Sequence, residues 1–346
     1  MLNSRFVLIA VTSVAAVGYS IYFLVRRVSP SLGFFHSKEP SNASHEGQDN
    51  STLTSSGYTG PIFFKPPDAK EEAIYKILGS HPCIVKYFGT DPQTGEIMLP
   101  SLRKGDLLFH LKTHPSIPLA TRLTWAIEIA QGVAHLHARD VIWADPHLQN
   151  VLLTDDYHAV LCDFGISVYQ APYSYKFSRG PPPMYACPLG YIARTPRRKD
   201  IFGLGVILFV LLSERFPFHD DLSPSPPKEI EAMQRHEEIS NDVISRDDGD
   251  FDFDKLSPEL HRYFGNIVNK CFAIRYQAAD VLVTELKEAF SHWRKENEPI
   301  LVGTDHLNVD LPYPRHPVHC PIEPVQRQYF RESWGPPVYI SDLTQD

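Results

Sequence analysis

The chain has 346 residues, 43% hydrophobic and 21% charged, enough to bury the core of one two-lobed domain or of two small ones. Its formal charge of −8, with no basic stripe interleaved with aromatics, excludes a broad nucleic-acid-binding surface, so no nucleic-acid partner is expected. Five scattered cysteines, with no CxxC pair and no Cys/His cluster at zinc spacing, read as free thiols in a reducing compartment.

In chain order, the first element is the run from Phe6 to Val25, which holds neither a charge nor a proline. It matches the ~20 apolar residues that cross a bilayer as a helix. Arg26 and Arg27 stop it, and Tyr19, Tyr22 and Phe23 suit the lipid–water interface. A signal peptide would carry a shorter apolar core, and a buried helix a polar face. Residues 1–28 are therefore read as a transmembrane anchor with its flanks. Arg26, Arg27 and Lys38 after the span, against Arg5 before it, place the rest of this single-pass protein in the cytosol. Residues 29–56, rich in Ser, Asn, Gly and His, read as a disordered tether. A folded domain spans 57–295, and 296–346 form a proline-rich tail.

Within the domain, Ala69–Leu78 is expected to be helical, with Ile74, Ile77 and Leu78 on one side. A longer helix is expected over Leu119–His137, with Leu123, Ile127, Ala130 and Val133 at helical spacing. Val151–Leu153 and Ala159–Leu161 are short apolar strands split by the turn-forming Asp155-Asp156-Tyr157. The nearly all-apolar Asp200–Leu212 is too short to cross a membrane and reads as a core helix.

The most informative stretch, VIWADPHLQNVLLTDDYHAVLCDFG from Val141 to Gly165, sets Asp145, Asn150 and Asp163 beside short strands. Rigid backbone at a strand end can hold acceptors to close tolerance. Phosphoryl transfer needs such a set: one carboxylate to orient the attacking hydroxyl, and a second carboxylate with an amide to hold magnesium. Singly, each of these residues reads as an ordinary turn residue.

As an ordered set the segment resembles the catalytic and metal-binding loops of protein kinases. The resemblance places Asp145 on the catalytic base, Asn150 and Asp163 on the metal ligands, and Asp163-Phe164-Gly165 on the family's Asp-Phe-Gly turn. It extends from about Gly60 to Lys295. Residues from Glu72 to Lys86 resemble the regulatory helix running into a strand, which puts Glu72 on the lysine-pairing glutamate, with Glu71 the alternative inward residue. Gly105-Asp106-Leu107 resembles the start of the helix after the hinge, setting Leu99 beside the adenine, Pro100 just after it and the Leu102 N–H on the base. Asp200 resembles the aspartate that supports the catalytic loop. The implied fold is α+β and bilobal, with a reduced β N-terminal lobe and a helical C-terminal lobe. The implied activity is ATP- and Mg2+-dependent phosphoryl transfer to serine or threonine of a protein substrate.

Four features depart from the family pattern. Gly57-Tyr-Thr-Gly60 is the only glycine cluster before the regulatory helix and lacks the full GxGxxG lid, leaving Gly57, Gly60 and Lys65 as the nucleotide-phosphate contacts. Lys65 lies closer to Glu72 than is usual for the phosphate-pairing lysine. Trp143-Ala144 replaces the usual His-Arg, and His147 replaces a lysine two residues after Asp145. Leu189, after Pro188, replaces a glutamate whose buried arginine partner would be Arg275 and would need a substitute. Two alternatives follow: a pseudokinase scaffold with weak or no nucleotide binding, and an atypical or small-molecule kinase, which the Asp-Pro-His loop resembles.

Overall fold

A computed structural model describes residues 60–169, 180–188, 197–223, 226–245 and 256–297. The expected membrane span Phe6–Val25, the tether, Gly57, Leu189 and the tail beyond 297 lie outside the described residues. Among the described residues no helix is long and apolar enough to cross a membrane.

The N-terminal part is a three-stranded antiparallel sheet with one helix. Strand β1 (Ile62–Lys65) pairs with β3 (Ile97–Pro100), and β2 (Gly89–Thr90) pairs with the other edge of β3. The register sets Ile62 opposite Pro100 and Lys65 opposite Ile97. Among the described residues no strand precedes β1. Helix α1 (Ala69–Leu78) follows β1 after only Pro66, Pro67 and Asp68. The Asp68 carboxylate caps it, accepting from the N–H groups of Lys70 and Glu71 at 2.9 and 3.0 Å. Gly79, at φ 61°, ends it in a conformation that glycine adopts at little cost. Helical phase puts Glu71, Ile74, Tyr75 and Leu78 on one buried face.

The larger part is helical. Helix α2 (Leu107–Thr113) is capped by Asp106, which accepts from the Phe109 N–H at 2.8 Å. Helix α3 (Leu119–Ala138) lies against α4 (Arg197–Ser213) and α7 (Ala279–Asn297), burying Leu123, Trp125, Ile129, Val133 and Leu136. Helix α5 (Pro226–Ser245) precedes α6 (Asn266–Phe272), which also packs on α4. Every residue of α4 from Lys199 to Leu212 is buried, so it is the centre of the core, three residues longer at its start than its apolar run alone indicates. Between α3 and α4 run the hairpin β5–β6 (Val151–Leu153 with Ala159–Leu161) and the pair β4–β7 (Val141–Ile142 with Val168–Tyr169). These four strands frame the site.

Candidate active site

Asp200 sits in the first turn of α4 and is completely buried. A carboxylate is favoured there by the helix dipole. Its Oδ2 accepts from the Trp143 N–H at 2.8 Å and its Oδ1 from the Ala144 N–H at 2.9 Å. His137, at the end of α3, donates from Nε2 to Oδ2 at 2.9 Å. These bonds hold Ala144 at φ 67°, a left-handed conformation that costs a non-glycine residue about 1–3 kcal/mol. The loop leaving Ala144 is thereby aimed before Asp145 is reached.

Asn150 closes that loop. Its amide Nδ2 donates to the Asp145 carbonyl at 3.2 Å and to Asp145 Oδ2 at 3.1 Å. The Asn150 carbonyl accepts the Cys162 N–H at 3.0 Å, which ties the residue before β5 to the residue before Asp163. Asp163 is itself left-handed, at φ 60°, and its Oδ1 accepts the Gly165 N–H at 3.3 Å.

From the opposite side comes Lys65, the last residue of β1. Its Nζ lies 2.5 Å from Glu71 Oε2 and 2.9 Å from Asp163 Oδ1, with the lysine side chain 11% and the glutamate 1% exposed. Glu71 Oε1 accepts the Phe164 N–H at 3.0 Å, and Phe164 stacks edge-on against Tyr75. Burial opposes the Lys65 charge, but Asp163 and Glu71 outweigh it and hold the ammonium above its ordinary range. Burial pushes the Glu71 carboxyl up; Lys65 opposes the shift and the neighbouring Asp163 adds to it.

This corrects the glutamate assignment. Glu72 is not the partner of Lys65: it turns outward to Lys76 at 2.6 Å, one helical turn on, and to the Tyr87 hydroxyl at 3.4 Å. The cap at Asp68 sets the phase of α1, so Glu71 shares the face of Ile74, Tyr75 and Leu78. That stripe, at offsets of three, four and seven from Glu71, was a signal available in the sequence. The short Lys65–Glu71 separation is bridged by Pro66-Pro67, which turns the chain so that a strand end and a helix's first turn meet.

Arg275 also needs correction: it is exposed, so it is not a buried cation in need of a substitute partner. The strand-end prolines behave otherwise. Pro100 is buried at the end of β3 beside Leu99, and the Ser101 N–H donates to the Pro61 carbonyl at 2.9 Å. Leu102 is half-buried and its carbonyl accepts the Gly105 N–H at 3.3 Å. Gly60 lies in a bend just before β1.

Two contacts were invisible to sequence reasoning. Pro146 packs on Gly203 of α4 so closely that a Cβ at 203 would lie 2.2 Å from Pro146 Cγ. Leu161 takes the space beside Gly132 of α3 in the same way, which seats the β5–β6 hairpin on that helix.

The donor set suits magnesium and nucleotide phosphates. Both Asn150 amide hydrogens are directed at Asp145, which leaves the amide oxygen as its unspent acceptor. That oxygen with the Asp163 carboxylate is the all-oxygen pairing a hard cation takes. Lys65 supplies a permanent, partly buried positive charge beside it.

The model of the protein kinase domain matches residues 68–286, well over half of the chain. The chain belongs to the protein kinase family. The match begins three residues after Lys65, so the place of that lysine in the site rests on its contacts alone. Among curated relatives, the mitogen-activated protein kinase kinase kinase mom-4 of Caenorhabditis elegans is 27% identical over 162 residues, 44% of this chain and 30% of the relative. The ovarian-specific serine/threonine-protein kinase Lok of Drosophila melanogaster is 30% identical over 178 residues, 48% of this chain and 37% of the relative. The human cAMP-dependent protein kinase catalytic subunit PRKX is 27% identical over 153 residues, 44% and 42% respectively. The matches to these three relatives thus span less than half the length of each.

Proposed function

We propose that this kinase-family protein transfers the γ-phosphoryl group of ATP, in the presence of magnesium, to serine or threonine of a protein substrate. The observation that carries the reading is the ammonium of Lys65 held between Glu71 and Asp163, with Asp163 tied through Cys162 to the loop of Asn150 and Asp145. Asp145 orients the substrate hydroxyl and takes its proton as the oxygen bonds to phosphorus and ADP departs. Asn150 and Asp163 would hold magnesium, which would neutralise phosphate charge when bound. Lys65 meets the phosphates and Glu71 keeps it in place. Leu99, Pro100 and Leu102 would line the adenine side and Gly60 would meet the phosphates; Gly57, of the same glycine cluster, lies outside the described residues. The protein's contribution is then positioning and charge neutralisation, as phosphoryl transfer requires. The apolar run Phe6–Val25 would tether the domain to a membrane from its cytosolic side; release of the full chain by alkaline extraction would exclude that tether.

The test is magnesium-dependent autophosphorylation and ATP hydrolysis by the full chain, beside Asp163→Ala and Lys65→Met, with nucleotide binding followed by thermal shift. Activity lost in both variants is the expected result. A silent wild type that still binds nucleotide would identify a pseudokinase, and silence without binding would remove nucleotide chemistry altogether.

A further inference from the structure

His147 follows Asp145 by two residues, where a lysine would bring a fixed charge. The residue is only 9% exposed and its ring lies beside that of Tyr185, 6.0 Å between centroids. Its Nε2 approaches Asp145 Oδ2 at 3.4 Å. Its Nδ1 is buried with no hydrogen-bond partner among the described residues.

The hydrogen inventory decides what this ring can do. A carboxylate oxygen only accepts, so the nitrogen facing it must carry the hydrogen. A hydrogen on Nδ1 would be a buried donor without an acceptor, at a cost of about 1–3 kcal/mol. The favoured tautomer therefore has its hydrogen on Nε2, pointed at Asp145. Oδ2 is then approached from two sides, by Asn150 Nδ2 at 3.1 Å and by His147 Nε2 at 3.4 Å. Oδ1 is buried and has no hydrogen-bond partner among the described residues. One oxygen faces two donors, and the other is enclosed by protein.

We propose that His147 is a positioning residue: with Asn150 it fixes the rotation of the Asp145 carboxylate, and so the direction in which that carboxylate is presented to the substrate hydroxyl. The proposal rests on the phosphoryl-transfer reading for its consequence, but the clamp itself is a property of the nucleotide-free protein. The 3.4 Å separation is long for a hydrogen bond, and such catalytic contacts commonly tighten when substrates bind. The site thus takes from position 147 a directed donor where the family's lysine would give a charge.

The first readout is the tautomer of His147 in the nucleotide-free full chain, by long-range proton–nitrogen correlation, with the resonance assigned by its loss in His147→Gln. Hydrogen on Nε2, and a changed Nε2 shift in Asp145→Asn, support the clamp; hydrogen on Nδ1 overturns it. The second readout is steady-state kinetics. His147→Ala should lower kcat about 10- to 100-fold with the KM for ATP within about twofold, the signature of a misaligned acceptor. His147→Gln, which restores a donor on a side chain of similar reach, should recover most of the loss, and His147→Lys should recover no more than glutamine does. Unchanged kcat in His147→Ala, or rescue by lysine and not by glutamine, overturns the proposal. A wild type that transfers no phosphate yet shows the Nε2 tautomer and the Asp145→Asn response would sink the proposed function and leave the clamp standing.

Discussion

A methyl group added at Gly203 tests whether the catalytic loop is seated on the central helix as described. In Gly203→Ala the new Cβ would meet Pro146 Cγ at 2.2 Å, its Cβ at 2.6 Å and its carbonyl oxygen at 3.2 Å. Carbon atoms rest at about 3.5–4.0 Å, so the two backbones must part by about 1.3 Å or more. Neither partner yields easily. The proline ring is stiff, and α4 is buried from Lys199 to Leu212, packed against α3 and α6. The loop that starts at Ala144 must therefore move, and Asp145 moves with it. Overpacking of this kind costs about 1–3 kcal/mol, which for a domain of this size lowers Tm by roughly 2–10 °C. A displacement of about 1 Å at a reacting group costs on the order of 10²-fold in turnover. Thermal unfolding and ATP turnover should both fall in Gly203→Ala. Pro146→Ala in the same chain removes the atom at 2.2 Å and should restore part of both, a coupling of about 0.5–3 kcal/mol in stability. Wild-type Tm and turnover in Gly203→Ala, or no recovery in the double variant, would refute the seating.

Three further expectations follow from the same geometry. Glu71→Ala leaves the buried Lys65 with one carboxylate fewer and the Phe164 N–H without its acceptor, and denaturant unfolding should show a loss of about 3–5 kcal/mol, whereas Glu72→Ala should leave the midpoint unchanged. Equal effects at the two positions would reverse the assignment of the glutamates. Asp200→Asn places an amide NH2 against one of the N–H groups of Trp143 and Ala144, so stability should fall by about 2–4 kcal/mol, and hydrogen exchange of those two amides should quicken more than that of the β5–β6 hairpin. Burial, with smaller contributions from His114 and Lys104, holds His110 down at about 4, below the ordinary histidine value. The unfolded chain then binds the extra proton first, so this histidine's contribution is complete above about pH 6.5 and is lost as pH falls toward 4, roughly 3 kcal/mol in all. His110→Phe should flatten that part of the stability-versus-pH curve, and an unaltered slope would count against it.

Much of this arrangement is written in local sequence. The helix over Ala69–Leu78 and the strands Val151–Leu153 and Ala159–Leu161 occupy the residues that their patterns indicate, because each buries a face or a run whose period a short window reveals. Asp145, Asn150 and Asp163 stand close together because one strand hairpin joins their loops, and a hairpin's geometry follows from its own turn.

What the chain order leaves open is set by contacts between elements. Glu71 and Glu72 are chemically identical neighbours about 100° apart on a helix; the apolar stripe of Ile74, Tyr75 and Leu78 marks Glu71 as the inward one, but the docking of α1 on Phe164 and β1 is what brings it to Lys65. Arg275 looks from its sequence context like a buried cation, yet the packing leaves it in solvent. Gly203 reads as one small residue in an apolar run, and its meaning comes from a proline 57 positions earlier that fills the missing side chain's place. Sequence period fixes which face a residue lies on within its own element. Which partner that face meets, and at what distance, is fixed only when the elements pack, because close-packed interiors transmit a misfit of one methyl group to their neighbours.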